Sequence, residues 1–197
     1  TECAPLVSHT PWREFVPHSS GRVLPGLMEC KILSDDPENI PGEICVKGKN
    51  VMKGYFKNEE ATDKVLYDDG WLHTGDMGTL NPDGTLFIRG RCKTMLLGAN
   101  GQNIYPEEIE AKLNNMVYVN ESLVVERNGK FVALVYPDYE VMDKLGTTRD
   151  QLPDVMEQIR KEVNKIVAPY EQISKIEIQP CEFEKTPKRS IKRFLYK

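Results

Sequence analysis

Residues 90–110 read GRCKTMLLGANGQNIYPEEIE, and the character of the chain changes across this stretch. Before it, short segments of β-branched and apolar residues are bounded by Gly, Pro, Asn or Asp, a pattern that predicts β-strands. After it, helical apolar spacing alternates with strand-like segments, which predicts a small α+β domain. The sequence therefore predicts an α+β protein in two parts, a β-rich part over residues 1–90 and an α+β part over residues 91–197.

In the β-rich part, the strand-like segments lie at 28–33, 43–47 and 85–89. Asn81-Pro82-Asp83-Gly84 is a turn signal between residues 77–80 and 85–88, which predicts a hairpin. Residues 59–67 are the one helix candidate in this part.

In the α+β part, Pro106 followed by three glutamates within four residues predicts the start of a helix, because acidic side chains favour the positive end of the helix dipole. Asn128-Gly129 predicts a tight hairpin turn between strands at 122–126 and 131–136. A helix over 153–168 and a half-buried strand over 173–178 follow from apolar spacing.

The composition argues against several classes of protein. Of 197 residues, 40% are hydrophobic and 28% charged, no run approaches the length of a membrane span, and the first residues lack the features of a signal peptide. The five cysteines are odd in number and form no C-x-x-C pair, which favours reduced thiols and a cytoplasmic protein over disulfides or zinc. The three histidines lack metal-ligand spacing. Because residue 1 is not Met, we expect a fragment of a longer chain.

The charge is unevenly distributed. The chain has a net charge of −4, yet residues 184–197 contain six basic residues and one acid. Such a run is either a solvated tail or an anion-binding segment. Nucleic acid is disfavoured as a partner, because the rest of the chain is acidic and the tail has few aromatic residues.

Glycine-rich segments do not match the common nucleotide-binding loops. Residues 42–50 have the wrong spacing for a P-loop, and residues 98–101 lack the Rossmann fingerprint. In contrast, Asp76 directly follows Gly75, where a missing Cβ leaves room for a ligand and the carboxylate can accept two ribose hydroxyls. The alternative for Asp76 alone is an acid that caps a turn.

In combination these motifs resemble the adenylate-forming acid ligases, which include acyl-CoA synthetases, firefly-luciferase-like enzymes and the adenylation domains of peptide synthetases. Residues 90–110 are most similar to long-chain fatty acyl-CoA ligases. The family's G-E-(I/L), G-Y-(F/Y)-x-(N/D) and A-T positions are matched at 42–44, 54–58 and 61–62, so the resemblance covers essentially the whole chain.

The resemblance implies roles at the nucleotide. Thr1-Glu2 matches the end of the Y-G-x-T-E motif, where the threonine contacts the adenylate and the glutamate helps to hold Mg²⁺. Asp76 would bind the ribose hydroxyls of ATP, joined by Arg91. The family's phosphate loop and acyl pocket would precede residue 1.

The resemblance also implies a mobile lid over residues 91–197. Lys93 would be the hinge, and Gly101 would lie in the loop that lines the path of the CoA pantetheine. The family pattern P-K-T-x-x-G-K-x-x-R is altered at 184–193, where Ser190 stands in place of the adenylating lysine. We predict that Lys188 or Lys192 takes its catalytic role, with Lys188 favoured because Pro187 restricts the loop before it; the alternative is a solvated tail without that role.

The expected activity is ATP-dependent formation of an acyl-adenylate from a long-chain fatty acid, followed by transfer to CoA, with small-molecule partners and membrane proximity only through the lipid substrate. Two alternatives remain open. One is an amino-acid or aryl-acid adenylation domain that feeds a carrier-protein thiol, and the other is a non-enzymatic module that binds a nucleotide or another anion.

Overall fold

The computed structural model describes residues 1–98 and 101–196, and the fold class is α+β as predicted. Three residues lie outside this description: Ala99 and Asn100 of the glycine-rich loop, and Lys197 of the basic tail. The chain divides into two compact units, Thr1–Lys93 and Thr94–Lys197. This division lies three residues after the boundary expected at 90/91.

The elements of the first unit are β1 (Ser8–His9), β2 (Arg22–Val23), β3 (Met28–Leu33), β4 (Gly42–Gly48), α1 (Glu59–Asp63), β5 (Leu72–Leu80) and β6 (Leu86–Arg91). Four strands form an antiparallel sheet in the order β3-β4-β5-β6, and β1 and β2 form a separate two-stranded sheet. One face of the sheet carries the core, which includes Met28, Ile44, Val46 and Leu72. Because side chains alternate along a strand, Glu43 and Cys45 project from the other face of β4.

The elements of the second unit are β7 (Leu96–Leu97), β8 (Asn103–Ile104), α2 (Pro106–Asn114), β9 (Val119–Arg127), β10 (Lys130–Pro137), α3 (Tyr139–Leu145), α4 (Leu152–Ile166) and β11 (Ile173–Ile178). Three strands form a sheet in the order β11-β10-β9, in which β10 and β11 are parallel. Helices α2 and α4 bury their apolar faces against one side of this sheet. Phe183, Ile191 and Tyr196 from the tail pack with residues on the other side, so the basic tail is a structured part of the unit.

The one helix predicted in the first unit is shorter than expected. It ends at Asp63 and not at residue 67, because the backbone of the following residues pairs with β5. His73 donates its backbone N–H to the Val65 carbonyl at 2.7 Å, and Leu66 forms a β-bridge with Leu72. None of the residues of α1 is buried, so no apolar face extends the helix against this competition.

Candidate active site

Asp76 and Arg91 face each other across neighbouring strands. The register of β5 and β6 places them directly opposite, and Arg91 Nε lies 3.0 Å from Asp76 Oδ1. Burial raises the pKa of the Asp76 carboxyl, while the charge of Arg91 acts in the opposite direction. The Asp76 side chain retains 32% exposure. The predicted ribose-binding acid is therefore paired, positioned and still accessible to a ligand.

The first residues of the chain contribute a second carboxylate to this region. Glu2 lies near enough to Asp76 that its negative charge raises the pKa of the Asp76 carboxyl. Its backbone carbonyl accepts a hydrogen bond of 2.7 Å from the Met52 N–H, and the side-chain amide of Asn50 donates to the Cys3 carbonyl at 2.7 Å. These bonds fix the segment that follows Thr1, which is itself exposed.

The donor set at Glu2 is suited to Mg²⁺. This ion prefers hard carboxylate oxygens and is commonly held by one or two of them together with substrate phosphates. The hydrogen bond from its own backbone amide lowers the pKa of the Glu2 carboxyl, and the Tyr55 hydroxyl donates to Oε1 at 3.3 Å. The Glu2 side chain is 42% exposed, so a carboxylate oxygen remains available to an ion.

A bulge in β5 presents Asp76. Glu43 of β4 pairs with Met77, and Cys45 pairs with His73, so Ile44 alone lies opposite three residues of β5. Those residues are Thr74, Gly75 and Asp76. Gly75 has a φ of 71°, a left-handed conformation that favours glycine. The glycine before the candidate acid is therefore required by the backbone of the bulge.

Glu43 supports this bulge and was missed as a site residue by the sequence reasoning. Its Oε1 accepts the Gly75 N–H at 3.1 Å, and its Oε2 accepts from His73 Nδ1 at 2.9 Å. The only signal in the sequence was its place in the G-E-(I/L) motif. Nothing in that motif shows which residue of another strand the carboxylate reaches.

Glu43, Cys45 and His73 have potential ligand atoms that all lie within 4.8 Å of one another, a spacing that a metal ion could bridge. Both oxygens of Glu43 already accept hydrogen bonds from protein groups. Burial raises the pKa of Cys45 to about 11, whereas metal ligation requires the thiolate. Hydrogen bonding accounts for this cluster, and we assign no metal to it.

Lys93, the predicted hinge, lies between two anchored residues. On one side, Cys92 donates its backbone N–H to the Gly75 carbonyl at 2.9 Å. On the other side, the Thr94 hydroxyl donates to Glu107 at the start of α2 at 2.5 Å. The chain also divides into its two units between Lys93 and Thr94.

Gly101 lies in the turn between β7 and β8. Its N–H donates to the Gly98 carbonyl at 2.9 Å, and Gly98 donates to the Gln102 carbonyl at 2.8 Å. Gly101 has a φ of 78°, and among the residues that the structure describes no atom lies within 4 Å of a Cβ built there. Glycine is therefore favoured at this position by backbone conformation.

The altered tail motif forms a hairpin turn. Thr186 donates its N–H to the Ser190 carbonyl at 2.8 Å, and Arg189 donates to the Thr186 carbonyl at 2.8 Å. Arg189 has a φ of 63°, and it occupies the position of the glycine in the family pattern. The backbone thus keeps a conformation suited to glycine, with Ser190 next to it where the lysine is expected.

The acids of the second unit neutralise part of the basic tail. Lys185 pairs with Glu121 and with Glu182, and Lys192 Nζ lies 3.1 Å from Glu184 Oε2. Among the residues that the structure describes, Lys188 makes no hydrogen bond or ion pair. Lys188 is therefore the more available of the two candidate lysines.

Comparison with known proteins identifies relatives for both units. Residues 1–56 match the family described as AMP-binding enzyme, and residues 93–196 match the AMP-binding enzyme C-terminal domain. A long-chain-fatty-acid–CoA ligase of Escherichia coli O6:H1 is 45% identical over 115 residues, which is 56% of this chain and 20% of the ligase. Long-chain-fatty-acid–CoA ligase ACSBG1 of Homo sapiens is 34% identical over 142 residues, which is 72% of this chain and 19% of the ligase. The chain spans about a fifth of the length of these curated relatives.

Solved structures of similar fold include enzymes that were determined in complex with AMP or ATP. O-succinylbenzoate coenzyme A synthetase from Bacillus subtilis, in complex with AMP, is 30% identical with a TM-score of 0.71, covering 91% of this chain and 35% of that chain. ATP-bound MatB from Rhodopseudomonas palustris is 26% identical with a TM-score of 0.74, covering 98% of this chain and 38% of that chain.

Within the described residues, no helix has both the length and the apolar character needed to cross a membrane.

Proposed function

Because the chain belongs to the family of AMP-binding enzymes, we propose that it is the C-terminal portion of an ATP-dependent acyl-CoA synthetase that uses long-chain fatty acids. The curated relatives of two organisms, each named a long-chain-fatty-acid–CoA ligase, support this choice of substrate. In such a reaction a carboxylate oxygen attacks the α-phosphorus of ATP, and pyrophosphate leaves. The thiol of CoA then attacks the acyl carbon of the adenylate, and AMP leaves.

The observation that carries the proposal is the Asp76–Arg91 pair beside Glu2. In the proposed complex, the Asp76 carboxylate accepts hydrogen bonds from the two ribose hydroxyls. Arg91 holds that carboxylate in place and adds a positive charge next to the nucleotide. A charge-assisted hydrogen bond of this kind contributes about 1.5–3 kcal/mol.

Glu2 is the proposed protein ligand of Mg²⁺, and Thr1 the proposed contact to the adenylate. When bound, Mg²⁺ would reduce the negative charge of the ATP phosphates. The negative charge of Glu2 acts on Asp76, so the two carboxylates are near each other. An ion held by Glu2 would therefore attract the phosphates to a place next to the site proposed for the ribose.

The second unit is the proposed lid. Two reactions with different nucleophiles in one cleft require two arrangements of the surrounding groups, and a hinged domain provides them. Lys93 is the proposed hinge, because its neighbours on both sides are hydrogen-bonded within their own units. Gly101 would line the pantetheine path of CoA, where a residue without a side chain leaves room for the ligand among the described residues.

Lys188 is the proposed source of the positive charge that the family receives from a lysine at the position of Ser190. It is exposed at the turn, whereas Lys192 pairs with Glu184. Both lysines lie two residues from Ser190. Because a lysine side chain is long, either ammonium group could approach the place where the family's lysine is expected. Lys192 remains the second candidate, since its ion pair with an exposed acid is weak.

We further propose that the partners are the small molecules fatty acid, ATP and CoA, without nucleic acid, and that contact with membranes arises only through the lipid substrate. A cytoplasmic location is supported by the five cysteines, all of which are free.

Product analysis tests the proposal. The full-length protein that contains this chain is incubated with ATP, Mg²⁺ and CoA, together with a long-chain fatty acid, an aryl acid or an amino acid. We expect acyl-CoA, AMP and pyrophosphate with the fatty acid and little product with the others. Thioester formation on a carrier protein but not on CoA would favour an adenylation domain, and the absence of AMP with every acid would contradict the proposal.

A further inference from the structure

The hydrogen bonds around the β5 bulge suggest a role for Glu43 beyond packing. The three bulged residues, 74–76, cannot all pair with β4, because only Ile44 lies opposite them. Side chains replace the missing ladder bonds. The Thr74 hydroxyl donates to the Ile44 carbonyl at 2.8 Å, and the Asp76 N–H donates to Thr74 Oγ1 at 3.1 Å.

Glu43 supplies the remaining partner. Its Oε1 accepts the Gly75 N–H at 3.1 Å, and this is the amide directly before the candidate ribose-binding residue. The other oxygen is held by His73 Nδ1 at 2.9 Å, which restricts the rotation of the carboxylate. The Glu43 side chain is 26% exposed and that of His73 is 21% exposed, so both bonds are partly buried.

From this geometry we propose that Glu43 is a positioning residue for ribose recognition: it fixes the Thr74-Gly75-Asp76 bulge so that Asp76 meets both ribose hydroxyls. The inference rests on the proposed function, because it assumes that Asp76 binds the ribose of ATP. Glu43 itself is not expected to touch the nucleotide. Its effect is transmitted through the backbone of Gly75: Glu43 accepts the Gly75 N–H, and the Gly75 carbonyl accepts the Cys92 N–H.

Two substitutions separate hydrogen bonding from charge. Glu43→Ala removes both bonds and leaves the Gly75 N–H without its acceptor. Glu43→Gln keeps an oxygen for the Gly75 N–H and an amide that can bond to the imidazole, while it removes the negative charge. Glu29→Gln is the matched control, because Glu29 is exposed on the adjacent strand β3.

The decisive experiment compares nucleotides. Acid-dependent ATP–pyrophosphate exchange is measured in the full-length protein with ATP and with 2′,3′-dideoxy-ATP, and the ratio of kcat/KM for the two nucleotides is taken. We expect Glu43→Ala to reduce this preference for ATP about tenfold or more, and Glu43→Gln and Glu29→Gln to leave it within about threefold. A loss of general stability would lower both rates and leave the ratio unchanged.

A second measurement uses the 197-residue chain and does not depend on catalysis. Hydrogen exchange of the Gly75 amide, followed by NMR, should accelerate at least tenfold in Glu43→Ala and not in Glu43→Gln. Unchanged exchange, or an unchanged nucleotide ratio in an active Glu43→Ala enzyme, would overturn the positioning role while leaving the proposed function intact. If the wild-type protein shows no ATP-dependent exchange with any acid, the proposed function fails and the inference falls with it.

Discussion

Arg193 forms an ion pair with Glu110, a residue of α2 that lies far before it in the chain. Arg193 Nη1 lies 2.8 Å from the carboxylate, and Nη2 donates to the Val124 carbonyl at 3.1 Å. Glu110 is only 8% exposed and also accepts the Val124 N–H at 2.6 Å. These contacts join the end of the chain to α2 and β9, and they hold the turn that carries Lys188.

Replacing Glu110 with alanine should release the tail. Burial raises the pKa of the Glu110 carboxyl, and the charge of Arg193 opposes that shift. Because Arg193 is paired with this carboxylate, removal of the acid leaves the charge of the arginine uncompensated. Breaking a largely buried pair costs about 3 kcal/mol. We expect a loss of this size in denaturant unfolding of the chain and faster tryptic cleavage at the tail residues Lys185, Lys188 and Arg189. The exposed Glu140→Ala variant is the control, and equal stability of the two variants would show that the pair does not hold the tail.

The 197-residue chain alone should fold and yet catalyse no adenylation. None of its residues matches the family's phosphate loop, and the acyl pocket is equally unmatched. The measurement is acid-dependent pyrophosphate exchange by the purified chain, with a heat-killed sample as the control. Exchange above that control would mean that these residues contain a complete ATP site.

Lys93→Pro should affect the two half-reactions unequally in the full-length protein. Proline fixes φ near −65° and restricts the rotation that a hinge residue must absorb. We expect one of two rates, adenylation or thioester formation from supplied acyl-adenylate, to fall far more than the other. Lys93→Ala, which keeps backbone rotation, separates this effect from loss of the side chain. Equal losses in both rates would argue against a hinge at this residue.

The tail lysines should differ in their importance for adenylation. Lys192 is paired with Glu184, whereas Lys188 has no partner within residues 1–98 and 101–196. Lys188→Ala should therefore cost about 10²–10³ in the adenylation rate, as does the loss of one transition-state donor. Lys192→Ala should cost less, and Lys144→Ala, an exposed lysine of α3, should cost nothing. Pyrophosphate exchange in the full-length protein measures all three. If the variant lacking both Lys188 and Lys192 stays within about twofold of wild type, neither lysine has this role.

Local signals made much of the fold predictable. The strand bounds 28–33 and 173–178 agree with β3 and β11, and Pro106 starts α2 as expected. Asn128 and Gly129, both with positive φ, form the predicted hairpin turn. Helix α3 was missed, although Asp138 caps its start and Gly146 ends it in a left-handed conformation. Its seven residues bury only Met142 fully, which is too little apolar spacing to mark a helix.

The sequence suggests the candidate site residues but not the residues that support them, and the roles of the site residues at the nucleotide stay predictions. Asp76 and Arg91 stood out because each lies in a recognisable motif. The bond from Gly75 to Glu43 depends on how two strands align around a bulge, and a sequence does not specify that alignment. The pairing of Lys185 with Glu121 is equally remote in sequence, so a count of the charges in residues 184–197 does not include the acid that pairs with Lys185.

The central claim is that Asp76 binds the ribose of ATP in an adenylating enzyme. The most direct test measures how the rate of pyrophosphate exchange depends on ATP concentration in the Asp76→Ala variant. The variant is made in the full-length protein, with the exposed Asp68→Ala as its control. Loss of charge-assisted hydrogen bonds to the ribose predicts a fall in kcat/KM for ATP of roughly tenfold or more, with Asp68→Ala unchanged. An unchanged kcat/KM in Asp76→Ala would contradict the account and leave Asp76 as an acid that shapes a turn.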